Sequence, residues 1–291
     1  MAAQYQSQVK KVIIATGASS GLGFEAMKQL LEAKQFGSAY TVVVGARDEA
    51  RAITAYAQVK YDNLKHHVKV LRLDLANLVS VREFAKNVLA YAPDEQQVDY
   101  LFLCAAMSKD AGPSSYGSKW CDAQVVNHLS HHYLMHLLRN KLVASKSRIV
   151  VVSSGGIRRG DPVQADNVLL ANSGADGFDF TQLLNAHWWR RQLAGSCTVV
   201  AVSPGLIPMT GIFREYKESK RPTMKSQDAK TVEEGAQSLL RAFKCTDMPD
   251  DPDRIFLTSW GQWWERSDIQ NTLDRELQEK WSPSEEKIRR E

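Results

Sequence analysis

A doubly wound α/β fold, one parallel sheet of about seven strands with helices on both faces, is the class this sequence predicts. Seven short β-rich apolar runs recur along the chain, at 11–15, 41–46, 68–73, 100–105, 148–154, 198–203 and 254–259. The segments between the first six, such as 24–35 and 81–92, space their apolar residues at three and four, the period of crossover helices that cover a parallel sheet. A glycine-rich turn joins the first run to the first helical pattern, the join expected of a doubly wound sheet.

The 291 residues, 44% of them hydrophobic, suffice for one large core, so 1–291 is expected to form one domain, with 1–110 and 111–291 as its halves. Charge is mixed: 37 basic and 33 acidic residues give a net +4, which lays down no footprint for nucleic acid. The first ten residues lack an apolar signal core, and no stretch approaches the roughly 18 apolar residues of a membrane helix. A cytoplasmic protein without a membrane span is predicted. Cys104, Cys121, Cys197 and Cys245 are far apart with no CxxC pair, which indicates neither a disulfide framework nor a zinc site.

Two stretches break the rhythm. Residues 155–177 are rich in Gly, Asp, Asn and Arg, and 205–230 hold Pro208, Pro222 and a run of charges. Both are predicted as long loops at the C-terminal ends of strands, where open α/β sheets bind ligands.

After the first strand comes Thr16-Gly17-Ala18-Ser19-Ser20-Gly21-Leu22-Gly23. Gly17 permits a tight turn, Gly21 lets backbone amides approach a pyrophosphate, and Gly23 allows close helix packing, while the helix N-terminus attracts negative charge. This is a Rossmann-type dinucleotide loop in its strand-loop-helix context. The second strand ends Gly45-Ala46-Arg47-Asp48, at the place where a carboxylate would bond a ribose 2′-hydroxyl. Arg47 arrives there before Asp48, and a guanidinium suits a 2′-phosphate, so NADP(H) is favoured over NAD(H). Asp74 and Leu75, closing the third strand, are placed at the adenine edge by the same logic.

These motifs resemble the short-chain dehydrogenase/reductase family, especially its fungal members related to retinol dehydrogenases and protochlorophyllide reductases. Further supports are the strand 99–106, Asn127-His128-Leu129, the strand 148–154 and Ser203-Pro204-Gly205. The resemblance implies that Asn127 is a structural and proton-relay asparagine and Ser154 an active-site serine. It also implies that Pro204, Gly205 and Ile207 form the turn facing the nicotinamide, with Ala105 beside the cofactor after the fourth strand. It suggests specialised metabolism, a small apolar substrate and a homo-oligomer. One departure is that Cys104-Ala105-Ala106 stands where the family has Asn-Ala-Gly or Asn-Ala-Ala. A thiol lacks the paired donor and acceptor of an amide.

The larger departure is an absence. The family's Tyr-x-x-x-Lys pair follows the serine on a helix, where the tyrosine exchanges the substrate proton and the lysine lowers its pKa and holds the ribose. Here no tyrosine or lysine occurs from Ser147 to Glu215. The helix itself persists as 182–193. One register places Ala175 and Asp179 at the pair's positions, and sliding by three places Phe178 and Gln182 there. A positioned general acid contributes about 10² to 10⁴ in rate, so simple ketone reduction is disfavoured. Three readings stay open: hydride transfer to an iminium or another activated acceptor, a redox-neutral cyclisation or isomerisation reusing the pocket, and a catalytically silent homologue. The candidate catalytic residues are Ser154 as donor to a substrate oxygen, Asn127 as orienter of a water or carbonyl, and Asp179 as base or counter-ion. Asp179 is also placed to cap the helix, Asp176 is a weaker alternative to it, and Arg158 and Arg159 are candidates for an acidic substrate group.

His128, His132 and His136 recur at i, i+4 beside His131, yet no HExxH glutamate accompanies them, so ordinary packing partners are expected and no metal. Ser153-Ser154 lacks the GxSxG elbow of a serine hydrolase. Trp188, Trp189, Trp260, Trp263, Trp264 and Trp281 are expected mainly in the core, with a pocket wall for an aromatic or prenylated ligand as the alternative.

Overall fold

The structure is a computed structural model that describes residues 10–32, 38–92, 96–108, 115, 120–159, 178–214 and 216–291, with the side chains at 158, 159, 178 and 179 excepted. The seven predicted strands form one sheet in the order β3-β2-β1-β4-β5-β6-β7, all pairs parallel. They are β1 Lys10–Thr16, β2 Ala39–Ala46, β3 His67–Arg72, β4 Tyr100–Leu103, β5 Arg148–Val152, β6 Thr198–Val202 and β7 Phe256–Leu257. The outermost, β7, keeps only two of its six expected residues, because beyond Leu257 the chain turns back and Leu257 bridges Trp263 antiparallel.

The helices are α1 Gly21–Glu32, α2 Glu49–Ala57, α3 Leu78–Tyr91, α4 Asp122–Gln124, α5 Ser130–Ala144, α6 Phe178–Gln192, α7 Val232–Lys244, α8 Arg275–Lys280 and α9 Glu285–Arg289. Side-chain alternation along the strands divides the core into two layers. Val12 and Ile14 of β1 pack with Phe84 of α3, Leu138 of α5 and Trp189 of α6 on one face. Ile13 and Ala15 pack with Met27 and Leu30 of α1 and Leu239 of α7 on the other. Local signals fix the helix starts: Asp48 accepts from Arg51 N at α2, Asn77 from Val79 N at α3, and Thr231 with Glu234 forms a capping box at α7. No helix among the described residues is long and apolar enough to cross a membrane.

One irregularity bears on the site. Between α4 and α5 the chain makes a π-turn, Val125–Leu129, with Ser130 N donating to Val125 O. Such insertions shift the helical ladder by one residue and are frequent at functional sites. Asn127 lies inside this turn.

Candidate active site

A cleft of about 1180 Å³ runs along the C-terminal ends of the strands. The order reverses between β1 and β4, where a doubly wound sheet opens its ligand crevice. On the β1-β2-β3 side the cleft is lined by Gly17, Ser19, Ser20, Gly21, Leu22, Gly23, Arg47, Asp74 and Leu75, joined at β4 by Ala105 and from the segment after β6 by Pro204, Gly205 and Ile207. Every residue the sequence placed beside a nucleotide therefore lies on this one surface. Gly17 has φ +66°, and a Cβ there would stand 2.4 Å from Ala105 N, so the turn after β1 is pressed against the chain leaving β4. Gly21 also has a positive φ, +56°, but open space surrounds it, leaving the start of α1 approachable. Arg47 is exposed at the end of β2, whereas the Asp48 carboxylate is engaged as the cap of α2.

Thr16 ties the two sides together. Its Oγ1 accepts from Cys104 N and Ala105 N at 3.2 and 3.3 Å and lies 2.9 Å from His131 Nε2. Burial pushes His131 down to about 4, so it stays neutral, and its other nitrogen bonds the Asn127 carbonyl. Thr16 is then assigned as the donor to Nε2. Cys104, where the family has asparagine, is half-buried, and desolvation pushes its thiol up to about 12, so it is neutral. Its contribution to the cleft is its backbone, held by Thr16, and an apolar sulfur in place of an amide.

On the β5 side stands Ser154, lining the cleft. Its Oγ accepts from Gly156 N at 3.0 Å, and its own proton has no acceptor among the described residues. Ser203 likewise accepts from Gly155 N at 3.2 Å, fastening the segment after β5 to the end of β6. Asn127 orients a backbone carbonyl, one of the two parts expected of it. Its amide bonds Met107 both ways, accepting from the backbone N and donating to the backbone O at 2.8 Å each. It is completely buried and absent from the lining, and it positions the chain beyond β4.

One contact bears on the two registers left open for α6. Gln182 lines the cleft and donates from Nε2 to the Asn127 carbonyl at 2.8 Å. This supports the register with Phe178 and Gln182 at the pair's positions. Asp179 then falls outside the pair, and it lies within Phe178–Gln192 instead of capping that helix. Its side chain, those of Arg158 and Arg159, and both Asp176 and Ala175 fall outside the described residues. A neutral amide thus occupies the place that the resemblance gave to an ammonium, so no positive charge from this position reaches the Ser154 side of the cleft.

The 205–230 segment closes the same side. It contains two short 3-10 turns, Gly211–Phe213 and Glu218–Lys220, and is anchored by Leu206, which pairs with Ala229 and accepts from Lys230 N at 2.8 Å. Phe213, Arg214 and Tyr216 from this segment line the cleft, as do Phe180, Trp260 and Trp264. Sequence reasoning passed over Tyr216, the first tyrosine after the gap. No local signal could have found it, since its hydroxyl meets Ser108 Oγ, 108 positions away, at 3.3 Å. The tryptophans divide: Trp264 is buried and stacks on Phe256, Trp260 is 52% exposed in the cleft, and Trp188, Trp189 and Trp281 belong to the core.

His128 of the π-turn and His132 of α5 hold the C-terminal segment. His128 Nε2 bonds Trp281 O at 2.6 Å, and His132 Nε2 bonds Pro283 O at 2.8 Å. His132 Nδ1 accepts from Trp189 Nε1 at 2.8 Å, which fixes a neutral ring. Burial lowers His128 to about 4 and His132 well below its usual value. Among the described residues no group of three His, Cys, Asp or Glu side chains is placed to hold a metal.

Known proteins share this architecture and sequence. The family model described as short chain dehydrogenase matches residues 11–221, and the chain belongs to that family. A short-chain dehydrogenase/reductase of Pestalotiopsis microspora is 52% identical over 289 residues, 96% of this chain and 97% of that protein. Retinol dehydrogenase 12 of Bos taurus is 30% identical over 241 residues, 79% of this chain and 72% of its own. Among solved structures, the NADPH-bound carbonyl reductase from chicken fatty liver superposes with a TM-score of 0.64 at 15% identity, covering 87% of this chain and 98% of that one. The alcohol dehydrogenase of Thermococcus sibiricus complexed with 5-hydroxy-NADP does so with a TM-score of 0.61 at 19% identity, covering 86% and 95%. Both structures show the fold.

Proposed function

We propose that this chain is an NADP(H)-dependent oxidoreductase acting on a small apolar molecule whose carbon centre accepts hydride without a strong proton donor. The observation that carries the nucleotide preference is the pairing at the end of β2, where Asp48 is consumed as a helix cap and Arg47 stands exposed in the cleft. An exposed guanidinium, with the neighbouring carboxylate already accepting a backbone N–H as a helix cap, suits a 2′-phosphate better than a 2′-hydroxyl. The glycine turn fits a pyrophosphate on the same grounds, since open space surrounds Gly21 at the start of α1. The solved relatives bound to NADPH or to an NADP derivative share this fold.

When bound, the nicotinamide supplies a hydride. The chain's own residues decide which acceptors can use it. Ser154 receives a hydrogen bond from Gly156 N, so its proton is available to a substrate oxygen. Gln182 holds the Asn127 carbonyl with a neutral amide and lends no positive charge that would acidify a neighbouring hydroxyl. A substrate oxygen beside Ser154 thus meets a neutral donor, which stabilises a developing alkoxide less than a charge-assisted one would. Acceptors whose reduced form is neutral or delocalised, such as iminium ions and quinones, do not need more. The test is NADPH consumption with two sets of acceptors, iminium ions and quinones against simple dialkyl ketones. Turnover confined to the first set is expected, at least about 10²-fold above the second, and Ser154→Ala lowers turnover of the quinones more than of the iminium ions, which carry no oxygen at the reacting centre. Comparable ketone turnover, or conversion that continues with all dinucleotide removed, would contradict the proposal.

A further inference from the structure

We infer that the β5-β6-β7 side of the cleft takes a flat aromatic molecule and that Tyr216, oriented by Ser108, donates the hydrogen bond that recognises the ligand's oxygen. This rests on the reading of the cleft as a substrate site. Tyr216 Oη accepts from Ser108 Oγ at 3.3 Å, while Ser108 is almost fully buried and Tyr216 half-buried. With the phenol oxygen receiving that bond, its proton has no acceptor among the described residues and is available to a ligand. Ser154 shows the same arrangement, accepting from Gly156 N with its proton free. Two hydroxyls on one cleft are therefore supplied with donors from the chain, and each leaves a proton for an oxygen that the chain does not provide.

The walls argue for the aromatic character. Phe180 comes from the start of α6, Phe213 from the 205–230 segment, and Trp260 and Trp264 from the turn after β7, all lining the cleft. Phe213 meets Tyr216 edge to face, with ring centroids 5.6 Å apart, and Trp260 lies tilted at 6.4 Å from Trp264. Trp260 is 52% exposed although its partner Trp264 is buried, a large apolar face left open on the cleft. Aromatic rings preferentially receive other rings by offset stacking or edge contacts, and a few placed polar groups then fix orientation. The phenol missing from the helix after Ser154 is in this way supplied from the lid segment, as a recognition group.

The experiment uses α-tetralone, a bicyclic aryl ketone, and tetralin, its hydrocarbon of the same skeleton, titrated calorimetrically into the full chain without nucleotide. Wild type is expected to bind α-tetralone more tightly than tetralin, and Tyr216→Phe to lose that preference by roughly tenfold with tetralin affinity unchanged. Ser108→Ala, which keeps the phenol but frees its orientation, should lower α-tetralone affinity by a smaller factor, and Trp260→Ala should weaken both ligands alike. A wild type that binds neither bicycle, equal affinities for the two, or a Tyr216→Phe protein that keeps the preference would overturn the inference. A parallel NADPH titration separates this from the proposed function: nucleotide binding without α-tetralone binding sinks the inference alone, and the reverse sinks the nucleotide reading alone.

Discussion

The two ends of the cleft are built on different principles. Along β1-β2-β3 the surface is made of backbone: a turn pressed onto the chain after β4, a helix start left open, and a single exposed arginine. Along β5-β6-β7 it is made of side chains: two directed hydroxyls, a neutral amide on the Asn127 carbonyl, and aromatic rings from three separate segments. A backbone-built surface tolerates little variation where glycines such as Gly17 and Gly23 leave no room for a Cβ. A side-chain surface can exchange one chemistry for another while the scaffold stays in place. The missing tyrosine and lysine therefore bear on one mechanism and leave the β1-β2-β3 side of the cleft whole.

The contrast is broken most severely at the glycines. Gly17→Ala places a Cβ 2.4 Å from Ala105 N in a left-handed backbone region, and a loss of ~3 kcal/mol or more is expected from clash and strain together. Gly211→Ala in the lid segment meets nothing within 4 Å at a normal φ, so a change within about 0.5 kcal/mol is expected. Chemical denaturation of both variants measures the difference; similar losses would erase the distinction between the two ends.

Next in size is the acid sensitivity of the buried histidines. His128 and His131 are held at about 4 and His187 at about 3, chiefly by burial, against 6.5 when exposed. The folded chain therefore binds fewer protons than the unfolded one below pH 6.5. Stability is full above that pH and is lost as pH falls toward 4, at about 1.4 kcal/mol per pH unit for each such histidine. The denaturation midpoint should drop steeply over this window, and His128→Gln should flatten the slope. A midpoint unchanged between pH 6.5 and 4 would mean that these rings are not neutral and buried.

Much of the fold was legible because it rests on local regularities. Apolar runs gave the seven strands, and helical spacing with a glycine turn gave their parallel order and the residues, Arg47 among them, that line the β1-β2-β3 side of the cleft. What stayed hidden depends on partners distant in the chain. The choice between Asp179 and Gln182 needed the Asn127 carbonyl, 55 positions away. Tyr216 needed Ser108, and His128 and His132 needed the carbonyls of Trp281 and Pro283, more than 150 positions away. Asn127 was recognised by its motif, yet its work on Met107 could not be inferred from type alone, since an amide serves a backbone segment as readily as a water.

The central claim, that a nucleotide site persists beside an altered chemical site, is tested most directly by titrating wild type and Arg47→Ala with NADPH and NADH. The account predicts that wild type binds NADPH at least about tenfold more tightly than NADH, and that Arg47→Ala removes the preference, as expected from losing one charge-assisted contact. No binding of either nucleotide, tighter binding of NADH, or an undiminished preference in Arg47→Ala would contradict it.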